Sequence, residues 1–109
     1  MSVLLELSIF PVDQGESVSA YVAQVVAMIR ESGVDHELTA MGTLIETESL
    51  DQGLALVSRA HAILEQAGCR RVYATLKVDS RAGVSGRLCG KVEAIRARIG
   101  EGERARGLP

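Results

Sequence analysis

The side chains able to do chemistry in this chain are mostly carboxylates and hydroxyls spaced two residues apart. Glu6 and Ser8, Glu37 and Thr39, and Thr75 and Lys77 alternate with other residues, and Glu46 follows Leu44 in the same rhythm. In an extended chain that spacing sends each set to one side. The pattern is that of a polar sheet face suited to a cation or a hydrogen-bond donor. Neither a Ser-His-Asp nor a Cys-His arrangement is signalled, so no catalytic residue is assigned. His61 falls in an apolar helical rhythm and reads as a packing residue, and His36 opens a strand. Cys69 and Cys89 lack the partner spacing of a zinc site and read as small packing residues. Gly90-Lys91 is followed by Val92, and Ser85 stands where the first glycine of a phosphate loop belongs, so the segment Arg81 to Arg87 is by default a solvated loop.

These residues need elements to position them. Val3 to Phe10 is an aliphatic, alternating strand that stops at Pro11. Val18, Tyr21, Val22, Val25, Val26 and Ile29 recur at three- and four-residue spacing up to Gly33, which predicts a helix. His36 to Ala40 and Thr43 to Thr47 are two short strands, with Met41-Gly42 as their turn. Ser49 with Gln52 forms a capping box, and Leu50, Leu54, Val57, His61 and Leu64 mark the stripe of a second helix. Arg71 to Asp79 alternates as a fourth strand. Leu88, Val92, Ile95 and Ile99 give a third amphipathic helix.

The order βαββαβ plus a terminal helix predicts an α+β, ferredoxin-like fold: a four-stranded antiparallel sheet, two crossover helices on one face, and an extra C-terminal helix. One domain over residues 1–99 is expected, with 100–109 a frayed, polar tail. Alternation places Leu5, Leu7, Ile9, Leu38, Ile45, Val72, Ala74, Leu76 and Val78 under the helices. Glu6, Ser8, Phe10, Glu37, Thr39, Leu44, Glu46, Tyr73, Thr75 and Lys77 then occupy the open face. A Met41-Gly42 turn sets Glu37 directly opposite Glu46, a like-charge pair that requires a cation or donor between its members.

Composition narrows the function classes. The chain has 109 residues, 47% hydrophobic and 24% charged, and a formal net charge of −2. That is one globular domain without the positive field that gathers nucleic acid or anionic lipid. Aromatics are 3%, too few for base-stacking platforms. The apolar run near Val3 to Phe10 is far shorter than the ~20 residues of a membrane span. Two cysteines and no leader pattern predict reduced thiols in a cytoplasm.

Three stretches carry a resemblance: Ser17 to Ala23, Glu37 to Glu46 (Glu-Leu-Thr-Ala-Met-Gly-Thr-Leu-Ile-Glu), and Arg71 to Asp79 (Arg-Val-Tyr-Ala-Thr-Leu-Lys-Val-Asp). In this order they resemble the small thiamine-binding, YkoF-like family, with Met41-Gly42-Thr43 and Ile45-Glu46 the most specific part. The resemblance implies a ferredoxin-like subunit that associates through its sheets into a homodimer or homotetramer. It also implies non-catalytic binding of thiamine or a related pyrimidine, with no required cofactor and no metal. By matching position it implies ligand contacts from Thr39, Met41, Thr43, Glu46 and Lys77. Alternation alone adds Glu6, Ser8 and Glu37. Ala40, where the family often has proline, and the glycine-rich loop Ser80 to Gly86 depart from the pattern.

The leading expectation is therefore a cationic or pyrimidine small molecule held on the open sheet face at a subunit interface. A structural or regulatory oligomerisation module that consumes the same face without a ligand is the alternative. An enzyme using His61 or a carboxylate as general base is a third reading, for which no constellation is signalled.

Overall fold

Strand β1 (Ser2–Pro11) alternates from Val3 onward: Val3, Leu5, Leu7 and Ile9 are buried while the residues between them are half-buried. The computed structural model describes residues 1–106. After β1 come α1 (Ser19–Glu31), β2 (Asp35–Thr39), β3 (Gly42–Thr47), α2 (Leu50–Gln66), β4 (Val72–Arg81) and α3 (Arg87–Arg106). The four strands form one antiparallel sheet in the order β2-β3-β1-β4, so β1 is central and long β4 is an edge. This is the expected ferredoxin-like α+β arrangement with an additional helix.

The core lies between one sheet face and the two crossover helices. Val3, Leu5, Leu7, Ile9 and Ile45 pack against Val25, Met28 and Ile29 of α1 and Leu56, Ala60 and Leu64 of α2. Burying such side chains stabilises by about 1.5–3 kcal/mol each. Helix α1 is followed, after its C-cap Ser32, by Gly33, whose φ of 82° turns the chain away at no steric cost. Helix α2 starts at the predicted Ser49 cap, with Ser49 Oγ accepting the Gln52 N–H at 3.1 Å, while Gln52 Oε1 accepts the N–H of Glu48, one residue before the cap, at 3.1 Å.

The buried stripe of α2 differs from the expected one. It runs through Gly53, Leu56, Ala60 and Leu64, while Leu50, Leu54 and His61 are exposed. The reason is Gly53, where an added Cβ would stand 2.8 Å from both Leu5 methyls. The helix seats on its smallest residue, which rotates the larger ones outward.

Three further expectations change. Leu38 on β2 (60% exposed) and Ala74 and Val78 on β4 are exposed although they lie on the helix side of the sheet. Cys89 is exposed, whereas Cys69 is buried as expected. Helix α3 passes Gly100 and continues to Arg106. Of the tail expected over 100–109, residues 107–109 lie outside the described residues.

Candidate functional site

Pairing register lays out the face opposite α1 and α2 as cross-strand rows. Tyr73 pairs with Phe10, and Thr75 with Ser8. Lys77, Glu6, Leu44 and Glu37 form the next row, and Asp79, Leu4, Glu46 and Asp35 the last. The alternation expected for this face is therefore present in all four strands.

The expected Glu37–Glu46 pair is not. Glu37 opposes Leu44, Glu46 opposes Asp35, and Thr39 pairs with Gly42, so the turn is Ala40-Met41. The shift is two residues, which preserves each side chain's face but changes its neighbour. Gly42 sits tight against β1: a Cβ there would stand 2.8 Å from the Leu7 carbonyl oxygen, so glycine is required at this end of β3. Thr39 stabilises the turn locally, donating to the Gly42 carbonyl at 2.9 Å and accepting the Met41 N–H at 3.2 Å.

Nor is the face bare. Helix α3 covers its lower rows, with Leu88 and Val92 lining a groove of about 470 Å³ shared with Leu4, Glu6, Leu44 and Lys77. On the other side of the helix, the same two residues line a groove of about 330 Å³ with Asp35, His36 and Glu37. Lys77 Nζ lies 3.7 Å from Glu6 Oε1 at the rim of the larger groove.

Glu46, expected as a ligand carboxylate, is buried and occupied. It accepts the Ser2 hydroxyl at 2.5 Å, the Arg87 N–H at 3.0 Å and the Leu88 N–H at 3.0 Å. Burial alone would raise its pKa, but the bonds from Ser2, Leu88 and Arg87, with the guanidinium charge, hold it below the usual glutamate range. It thus caps the N-terminus of α3 from another strand. Sequence reading missed Ser2 as its partner and Asp79 as the partner of Arg87, and left Arg87 in a solvated loop. The only local signal was a carboxylate on an interior strand opposite another acid.

The remaining candidates converge at the other end of the sheet. Ser8, Thr39, Met41 and Thr43 line one cleft of about 310 Å³ between α1 and the β2–β3 turn. Its walls include Leu7, Phe10, Val22, Val26 and Leu38. Thr43 sits opposite Leu7 and Leu38, on the helix side of the sheet, and is buried. Met41 is 81% exposed at the mouth. The β1–β3 ladder stops at Leu7, so the β3-side edge of β1 beyond it has no strand partner and lies along this cleft. Phe10 and Tyr73 make a tilted ring contact of 5.8 Å next to it. The eight expected site residues are thus divided: four around the turn cleft, Glu6 and Lys77 in the groove beneath α3, Glu37 beyond that helix, and Glu46 in its anchor.

Among the described residues no group of three or more His, Cys, Asp and Glu side chains could hold a metal, and no helix is long and apolar enough to cross a membrane. A family model described as "Thiamine-binding protein" matches residues 5–96. The chain belongs to this thiamine-binding protein family. Family relatives include a UPF0045 protein of Methanothermobacter thermautotrophicus, 40% identical over 86% of this chain and 96% of its own length. The UPF0045 protein Mb1933 of Mycobacterium bovis is 36% identical over 87% of this chain and 92% of its own. Among solved structures, protein MJ1052 of Methanocaldococcus jannaschii superposes with a TM-score of 0.75 at 34% identity, covering 86% of this chain and 95% of that one. The match includes the turn cleft and the strands that build it, and it ends within α3 of this thiamine-binding family member.

Proposed function

We propose that the protein binds thiamine, or a related aminopyrimidine, without transforming it, and that the ring lies in the cleft beside the β2–β3 turn. One observation carries this reading: Ser8, Thr39, Met41 and Thr43 meet in a cavity of about 310 Å³ along an unpartnered stretch of strand edge. An aminopyrimidine is flat and presents donors and acceptors along its rim. Strand-edge amides and carbonyls with hydroxyls match such a rim, while Val22, Val26 and Phe10 cover apolar faces. Met41 supplies a polarisable thioether at the mouth. Glu6 lies two residues along β1 from Ser8 on the same side of the strand, in the groove beneath α3, and its carboxylate would meet a cationic thiazolium that extends from the cleft past Ser8. Membership in a family described as thiamine-binding supports the ligand class.

A second copy of the chain completes the reading. Tyr73 is 54% exposed against Phe10, and a partner sheet in a homodimer or homotetramer would cover that pair and close the site. The free Cys69 and Cys89 fit a cytoplasmic protein. The same exposed pair favours the second reading, an assembly module whose face is consumed by the partner alone.

Isothermal titration with thiamine, hydroxymethylpyrimidine and thiamine phosphate tests the proposal. Saturable binding of thiamine and of the pyrimidine is expected. If none of the three binds or raises the melting temperature, ligand binding is overturned, and an oligomer in light scattering would then select the assembly module.

A further inference from the structure

The charged cluster at the start of α3 takes no part in the binding reading. Arg87 is 7% exposed, and its guanidinium donates to the Ser2 hydroxyl at 3.0 Å, the Ser2 carbonyl at 2.9 Å and the Asp79 carboxylate at 2.9 Å. It also donates to the Asp79 carbonyl. Glu46 accepts the first two free amides of the helix as described. Every polar group in this cluster reaches back to β1, β3 or β4.

Past that turn the attachment thins. Leu88 and Val92 are half-buried, whereas Ile95 and Ile99 are 60% and 45% exposed. Among the described residues none of α3 belongs to the buried hydrophobic core, which comes from β1, β3, α1 and α2 with Cys69. A helix with so little apolar seating is marginal on its own. Its local stability must come largely from its anchor.

We propose that Glu46 and Arg87 are positioning residues that hold α3 as a separable wall over the sheet. With the anchor intact, the helix divides the face into the two grooves of about 470 and 330 Å³. With it broken, α3 leaves the sheet, the row containing Leu44 is uncovered, and the βαββαβ body stays folded.

Hydrogen exchange by mass spectrometry on the full chain tests this without any ligand, so its outcome is independent of thiamine binding. In Glu46→Gln and in Arg87→Ala, amides of 88–99 should exchange at least tenfold faster while those of β1 and α1 keep wild-type rates. Leu44→Cys, placed in a Cys89→Ser background, should react faster with N-ethylmaleimide when either anchor change is added. Arg87→Lys should give an intermediate effect, because one ammonium cannot reproduce the guanidinium's fork of bonds. Acceleration of β1 together with α3, or failure of the variants to fold, would overturn separability. Unchanged exchange in α3 would overturn the anchor.

Discussion

Gly42 lies so close to Leu7 that a Cβ on it would stand 2.8 Å from the Leu7 carbonyl oxygen and 3.3 Å from its carbon. This approach holds the start of β3 against β1 where both line the cleft beside the β2–β3 turn. Backbone cannot yield as a side-chain tip can. Gly42→Ala should therefore destabilise by about 1–3 kcal/mol in urea unfolding and weaken thiamine binding at least tenfold. Retention of both would show that the close approach is not needed.

Glu6 should discriminate by ligand charge. Glu6→Gln is expected to weaken thiamine binding by about tenfold, on the order of 1.4 kcal/mol. It should leave the neutral hydroxymethylpyrimidine unaffected, as titration calorimetry of the two ligands would reveal. Equal losses for both would place the carboxylate at the pyrimidine instead.

The Lys77–Glu6 ion pair spans 3.7 Å, with side chains 85% and 41% exposed. Solvent screening leaves such a pair worth little. Lys77→Ala should change the stability by no more than about 0.5 kcal/mol, measured by chemical denaturation. A larger loss would assign Lys77 a structural role that its exposure argues against.

Stability should fall in acid through Glu46. Its pKa is lower folded than unfolded, because the bonds from Ser2, Leu88 and Arg87 outweigh the burial that pushes it up. The folded chain thus holds fewer protons on this group than the unfolded chain does as the pH drops through the glutamate range. The contribution is fully present above the ordinary value of about 4.3 and is lost as pH falls through the depressed folded value. Glu46→Gln should flatten this part of a stability–pH curve, and a wild-type slope there would assign the acid sensitivity to another carboxylate.

Thr39 and Thr43 should separate structure from contact. Thr39 holds the turn through bonds to Gly42 and Met41, so Thr39→Val should lower stability by about 1 kcal/mol. Thr43→Val keeps the shape of a buried side chain lining the cleft, and its expected effect is a loss of ligand affinity larger than its loss of stability. Differential scanning fluorimetry with and without thiamine reads both.

Element order and sheet faces were legible because alternation is a local property, and the faces of β1, β3 and β4 follow from it residue by residue. The pairing of β2 with β3 was not. Ala40-Met41 and Met41-Gly42 are both acceptable two-residue turns, and the observed one carries the Thr39 bonds to Gly42 and Met41 and places Gly42 against Leu7, far away in sequence. The α2 stripe failed for a related reason: Gly53 carries no hydrophobic signal, yet its lack of a side chain is what lets the helix meet Leu5. The seat of α3 was hidden because nothing in a loop's composition tells which side of an edge strand the next helix will take. Consequently Glu46 read as a ligand group, although its partners Ser2 and Arg87 come from opposite ends of the domain. The turn residues Thr39, Met41 and Thr43 were named from the family likeness, and they do line one cleft together with Ser8, which alternation supplied.

The ladder between β1 and β4 joins Ser2 to Arg81 and Pro11 to Val72, so the central strand gets one of its two neighbours only from the far part of the chain. Such pairing incurs its loop-closure entropy before any contact offsets it. On a ribosome, a nascent chain that has not yet released β4 holds β1 with one flank open, and its exposed amides are free to pair with a neighbouring nascent chain. Synthesis speed through α2 then sets how long that hazard lasts, and synonymous codons there would influence yield without altering a single side chain.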